Sequence, residues 1–187
     1  MKYYLLFLWM ALARASPYGA PEQACASMTP GHGFYPQNGT SPFIAMPLTN
    51  EIMQNSFIPI GLSSMTSDYF KGFLIMAFSD NSSEPIGKFS IDTDGKLISC
   101  FNGTDNAATH WANDDKSWVM LNWIPPYDFV GLVHFRTTFV KNASHYWVSI
   151  ESDPVKVIPF FMPSSAVHFS PTSALGLALL ILIAGLF

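Results

Sequence analysis

Hydrophobic and polar positions alternate along most of the chain beyond residue 58. The run GLVHFRTTFV at 131–140 puts Val133, Phe135, Thr137 and Phe139 on one face and His134, Arg136, Thr138 and Val140 on the other. That period of two is the mark of a strand with one buried face. KSWVMLNW at 116–123 is a strand-length run of aromatic and branched residues, stopped by Pro125-Pro126. Further short runs lie at 58–63, 72–78, 87–91, 97–101 and 146–151, separated by SDNSSEPIG, DTDG, NGTDN and PPYD. The Gly, Pro, Asn and Asp of those separators are turn formers. About seven or eight strands at spacings near ten residues, with no amphipathic helix, predict an all-β fold, an antiparallel β-sandwich. Its inward positions are expected at Phe73, Ile75, Val119, Leu121, Val133, Phe135, Trp147 and Ile150. No internal repeat or low-complexity tract interrupts the pattern.

The two ends of the chain follow other rules. Residues 1–15 combine Lys2, an apolar core at 3–12 and the small-x-small triplet Ala13-Arg14-Ala15, which predicts a cleaved export signal and a mature start at Ser16. About ten apolar residues fall short of the roughly 20 that span a bilayer. At the other end ALGLALLILIAGLF, residues 174–187, is uncharged, and no Lys or Arg follows it. Upstream, Ser164-Ser165-Ala166 supplies three small residues, with a spacer at 167–173. This layout predicts a glycosylphosphatidylinositol attachment signal with Ser164 as the anchor site. A short membrane-embedded tail is the competing reading.

Export changes the meaning of the cysteines. Cys25 and Cys100 are the only two, and in an oxidising compartment a disulfide between them is the default. Closing so long a loop stabilises a fold by roughly 4 kcal/mol in the chain-entropy model. Four sequons, at Asn38, Asn81, Asn102 and Asn142, mark candidate N-glycosylation sites and agree with export. Losing the leader removes two of the nine basic residues, so 7 face 13 acidic ones, a net −6. An acidic chain without a basic cluster is a poor partner for nucleic acid. Aromatic residues make up 15% of the chain, which is enough large apolar side chain for one ordinary core.

The segment ACASMTPGHGFYPQ at 24–37 fits neither helix nor ladder. Pro17 and Pro21 ahead of it and Pro30 and Pro36 within it deny regular pairing, and Gly31 and Gly33 around His32 suit tight turns. It is expected to lie as an irregular strap over the sandwich, tied down through Cys25.

Taken in order, SPYGAPEQACASMTPGHGFYPQ, FKGFLIMAF at 70–78, GKF at 87–89, LISCF, THWANDDKSWVMLNWIPP at 109–126, GLVHFRTTFV and YWVSIES at 146–152 resemble the reeler (reelin-type) domain. The resemblance covers about 16–153 and implies an immunoglobulin-like β-sandwich of about eight strands, with the N-terminal cysteine bonded to the one matching Cys100. The chain then divides into a signal at 1–15, a reeler-like domain at 16–160, a spacer at 161–173 and the tail at 174–187. Reeler domains occur in reelin and spondin-type matrix proteins, in ferric-chelate-reductase-like proteins and in small secreted defence proteins of insects. The last architecture is the best match. The resemblance carries no catalytic motif.

Independent chemistry is sparse. His32, His110, His134, His145 and His168 have no neighbour in a ligand spacing, and His110 followed by Asp114 and Asp115 reads as a solvated turn. No nucleophile elbow, phosphate loop or CxxC occurs, so no catalytic, cofactor-binding or metal-ligating residue is assigned. The expectation is a non-enzymatic extracellular recognition protein, in innate defence, binding a microbial surface through exposed loop residues such as Trp111 and Tyr127. The alternatives are an adhesion module that binds an extracellular glycoprotein and an accessory to a surface ferric reductase. The expected location is the secretory route and the outer face of the plasma membrane, held by the lipid anchor.

Overall fold

The computed structural model describes residues 16–92 and 94–161. The export signal, Ser164, His168 and the apolar tail lie outside the described residues. Within them, eleven strands form two facing sheets. The smaller sheet runs β1 (Phe43–Pro47), β3 (Ile58–Ser64), β8 (Trp118–Ile124), β5 (Lys88–Ile91). The larger runs β2 (Glu51–Met53), β11 (Val155–Ile158), β9 (Gly131–Asn142), β4 (Gly72–Ser79), β7 (Ala107–His110), β6 (Gly95–Ile98), with β10 (His145–Glu151) also on β9. All pairs are antiparallel except β11 with β2. β11 runs against β9, with Val155 opposite Val133 and Val157 opposite Gly131.

The two inner faces fill one core. Ile58, Ile60 and Leu62 of β3 stand beside Trp123, Leu121 and Val119 of β8, all at most 1% exposed. Facing them are Phe73, Ile75 and Ala77 of β4 with Val133, Phe135 and Phe139 of β9. Aromatic rings meet edge-on there, as Trp123 with Phe135 and Phe70 with Phe139 do, the arrangement the ring quadrupole favours. All eight expected inward residues belong to this core, Trp147 and Ile150 at its half-buried margin.

Four of the eleven strands have no counterpart in the sequence reading. β7 is Ala-Ala-Thr-His, and alanine is a poor strand former. β2 has three residues, while β1 and β11 are short and bounded or ended by proline. The strand expected at 97–101 runs instead over Gly95–Ile98, because Phe101 and Asn102 take positive φ values of 50° and 62° and turn the chain. Asn106 closes that turn, its Oδ1 accepting from the Cys100 N–H at 2.7 Å and its Nδ2 donating to the Cys100 carbonyl at 2.9 Å.

β4 is the longest strand buried on both faces, a property it shares with the short β7. Seven of its eight residues are buried, on both faces. Its outward Leu74, Met76 and Phe78 form a second cluster with Cys25, Met28, Cys100 and Ala107. The strap supplies the covering layer, so GFLIMAF reads as a continuous apolar run rather than an alternating one, as strands covered on both faces do. Each such side chain contributes about 1.5–3 kcal/mol relative to exposure.

Candidate functional site

The strap crosses the outer face of the larger sheet and is fastened at several points. Near its start, Gly19 has φ +98° and lies so close to β7 that a Cβ there would meet the His110 carbonyl oxygen at 2.5 Å. The Ala20 N–H donates to Thr109 Oγ1 at 2.9 Å. A single 3₁₀ turn, Glu22–Ala24, then leads into Cys25, which is bonded to Cys100. Met28 is 5% exposed, and its carbonyl accepts from Thr138 Oγ1 at 2.7 Å. Beyond it the strap reaches the β9–β10 hairpin. There His32 Nδ1 lies 3.1 Å from the Ala143 carbonyl, the Gln37 N–H donates to the Tyr146 carbonyl at 2.9 Å, and the Tyr146 hydroxyl donates to the Phe34 carbonyl.

Between these fastenings the strap stands off the sheet and borders a cavity of about 570 Å³ that is open to solvent on one side. Its floor is the buried part, from Gly72, Phe73 and Leu74 of β4, Thr138 of β9 and His110 of β7. Its roof is the strap from Ser16 to His32, with Ala24, Met28 and Pro30 turned toward the floor side. Lys71, Asn113 and Asn142 lie at its more exposed rim.

His110 is the one titratable group buried in the floor. Its Nδ1 is 3.2 Å from the Phe73 N–H, which donates to it, and 3.3 Å from the Phe73 carbonyl. Burial pushes its pKa below the ordinary imidazole value, with the Phe73 backbone partly opposing and Lys116 adding to the depression. The ring is therefore neutral near pH 7, and its Nδ1 serves as acceptor for the Phe73 N–H.

The rim loop following His110 is organised by a buried cation. Lys116 Nζ donates to the carbonyls of Ala112 at 2.8 Å and Asp114 at 3.1 Å, and pairs with Asp114 Oδ1 at 2.9 Å. That hydrogen bond holds the Asp114 carboxyl below its usual range. The neighbouring Lys71–Asp115 pair is looser, at 3.4 Å between side chains 41% and 60% exposed.

The residues singled out from the sequence are distributed as follows. Cys25 and Cys100 are joined. Asn38, Asn81, Asn102 and Asn142 are all exposed, and Asn142 borders the cavity. Trp111 and Tyr127 are exposed at 62% and 78%, yet they stand at opposite ends of the sandwich. Trp111 follows His110, which packs at Phe73, whereas Tyr127 precedes the start of β9, level with Ser79. Six residues of β4 separate those levels, about 20 Å at the strand rise, so the two rings share no contact surface. The described histidines are likewise dispersed: His32 in the strap, His110 in the floor, His145 in the hairpin, and His134 between Asp80 at 3.7 Å and Glu151 at 3.6 Å. Among the described residues no group of three His, Cys, Asp or Glu is placed to hold a metal ion, and no helix is long and apolar enough to cross a membrane. The cavity, with Lys71, Ala24 and Gly31, was not foreseen; the doubly covered β4 run was the signal that something lies across that face.

A family model described as "Reeler domain" matches residues 23–159. "Putative defense protein 3" of Antheraea mylitta is 38% identical over 151 residues, covering 80% of this chain and 91% of that protein. "Putative ferric-chelate reductase 1 homolog" of Drosophila melanogaster is 33% identical over 158 residues, and there the chain spans only 24% of that protein's length. The crystal structure of the human F-spondin reeler domain superposes with a TM-score of 0.56 at 19% identity, over 67% of this chain and 94% of that one. That last likeness is one of fold.

Proposed function

The chain belongs to the Reeler domain family, and from that premise we propose that it is a defence-type extracellular recognition protein that binds microbial surfaces. The observation that carries this reading is the extent of the match to a defence protein, 38% identity over 91% of that protein's length. The disulfide across the strap and the exposure of all four sequon asparagines fit an extracellular site of action. Family and defence-protein relatives fit a non-enzymatic domain, and the reductase name belongs to a much larger protein. Recognition then rests on a rigid double sheet that holds the strap and its neighbouring loops in place.

Sedimentation of the purified, secreted protein with heat-killed Gram-negative bacteria, Gram-positive bacteria and yeast tests the proposal. Co-sedimentation with at least one of them, above that of an unrelated β-sandwich, is expected. Recovery of all the protein in the supernatant in every case refutes it. The match to part of a ferric-chelate reductase homolog favours a second reading, a domain that accompanies a surface reductase. Co-purification of a haem protein from the native membrane would select that reading.

A further inference from the structure

We propose that the cavity beneath the strap binds a single acyl chain bearing an anionic head group, the chain lying along Leu74, Val140 and Met28 and the head at Lys71. This goes beyond microbial binding and does not depend on it.

Four observations point to that ligand class. First, about 570 Å³ is a volume ordinary for a small-molecule site. Second, the enclosing surface is mainly hydrocarbon, from alanine, proline, methionine, leucine and valine side chains. Third, its buried polar groups are already committed within the protein. Thr138 Oγ1 donates to the Met28 carbonyl, and His110 Nδ1 accepts from the Phe73 N–H. A sugar or peptide would have to strip its own hydration with little in return, whereas an alkyl chain loses none.

Fourth, among the described residues the cavity is lined by one permanently charged side chain, the cation Lys71, and by no Asp or Glu. Lys71 is held only by the loose, half-exposed contact with Asp115, a kind of pair that is weak in water. Its ammonium is therefore free to exchange that carboxylate for a ligand's carboxylate or phosphate. The rim residues Lys71, Asn113 and Asn142 are half-exposed or exposed, so the cavity is reached from solvent.

Displacement of a dansyl-labelled undecanoate from the full secreted protein tests the assignment, with dodecanoate, dodecyl phosphate and dodecanol as competitors. Dodecanoate or dodecyl phosphate should compete in the range of about 10 µM, and dodecanol about tenfold less well. The tighter of the two heads identifies the source, a free fatty acid or a lysophospholipid. Lys71→Glu should weaken the anionic competitors by about tenfold, the effect of reversing one partly exposed charge. No displacement by any competitor up to about 1 mM overturns the proposal. Binding that is unaffected by Lys71→Glu overturns it equally. Microbial sedimentation plays no part in these readouts, so the two proposals can fail separately.

Discussion

Replacing both Cys25 and Cys100 by alanine removes the covalent fastening of the strap while leaving its hydrogen bonds in place. The two residues are 75 apart in sequence, and a loop of that length corresponds to about 4.5 kcal/mol of lost unfolded-state entropy at 25 °C in the chain-entropy model. Both side chains are almost fully buried, at 5% and 1% exposure, so alanine keeps the site apolar and adds only a small packing loss. For about 145 folded residues, an unfolding entropy near 2.1 cal/mol/K per residue totals about 0.3 kcal/mol/K, so the melting temperature should fall by about 15 °C. Scanning calorimetry on the secreted double variant, beside wild type with and without reductant, measures this directly. Hydrogen exchange locates it: protection should drop in the strap before it drops in β3 and β8, whose core contacts do not involve the disulfide. A fall of under about 5 °C, or strap amides no less protected than those of β3 and β8, would refute the reasoning.

Asn106→Ala should destabilise the fold by about 2–4 kcal/mol in urea titration, because it leaves the buried N–H and carbonyl of Cys100 without their partners. For His110 the folded pKa is depressed by burial, so the unfolded chain binds the extra proton; the stability this group contributes is complete above about pH 6.5 and is lost as pH falls below it. The melting temperature of wild type should thus drop more between pH 7.5 and pH 5.5 than that of His110→Gln; equal slopes would count against a buried neutral ring. The lipid anchor expected at Ser164 predicts release of cell-surface protein by phosphatidylinositol-specific phospholipase C, and protein that stays on the cell with an intact mass including 175–187 rules it out.

What the sequence disclosed and what it hid divide along physical lines. β9 and β8 were legible because one face meets the core and the other meets water or a thin cover, so the period of two survives in their side chains. β7 was not, because four small or polar residues buried between β4 and β6 carry no amphipathic signal. β2 and β11 hold each other at a sheet edge through a parallel pairing that no local pattern encodes. The strap was readable from its prolines and from Cys25, which rule out regular structure there. The cavity was not, because it depends on how far the strap stands from Leu74 and Thr138, a distance set by contacts more than a hundred residues apart, such as Thr138 with Met28. Trp111 and Tyr127 looked alike as exposed loop aromatics, and only the register of β4 against β9 sends them to opposite ends.

The direction of β11 gives the domain a front and a back. Val155 faces Val133 and Val157 faces Gly131, so the strand heads away from the end of β9 where Val140 and Asn142 border the cavity. From Gly131 to Val140 is about 30 Å of strand. β11 therefore ends toward one pole of the described domain, and the β9 residues that border the cavity lie toward the other. A partner bound at the end of β11 and a ligand in the cavity would thus sit too far apart to touch each other.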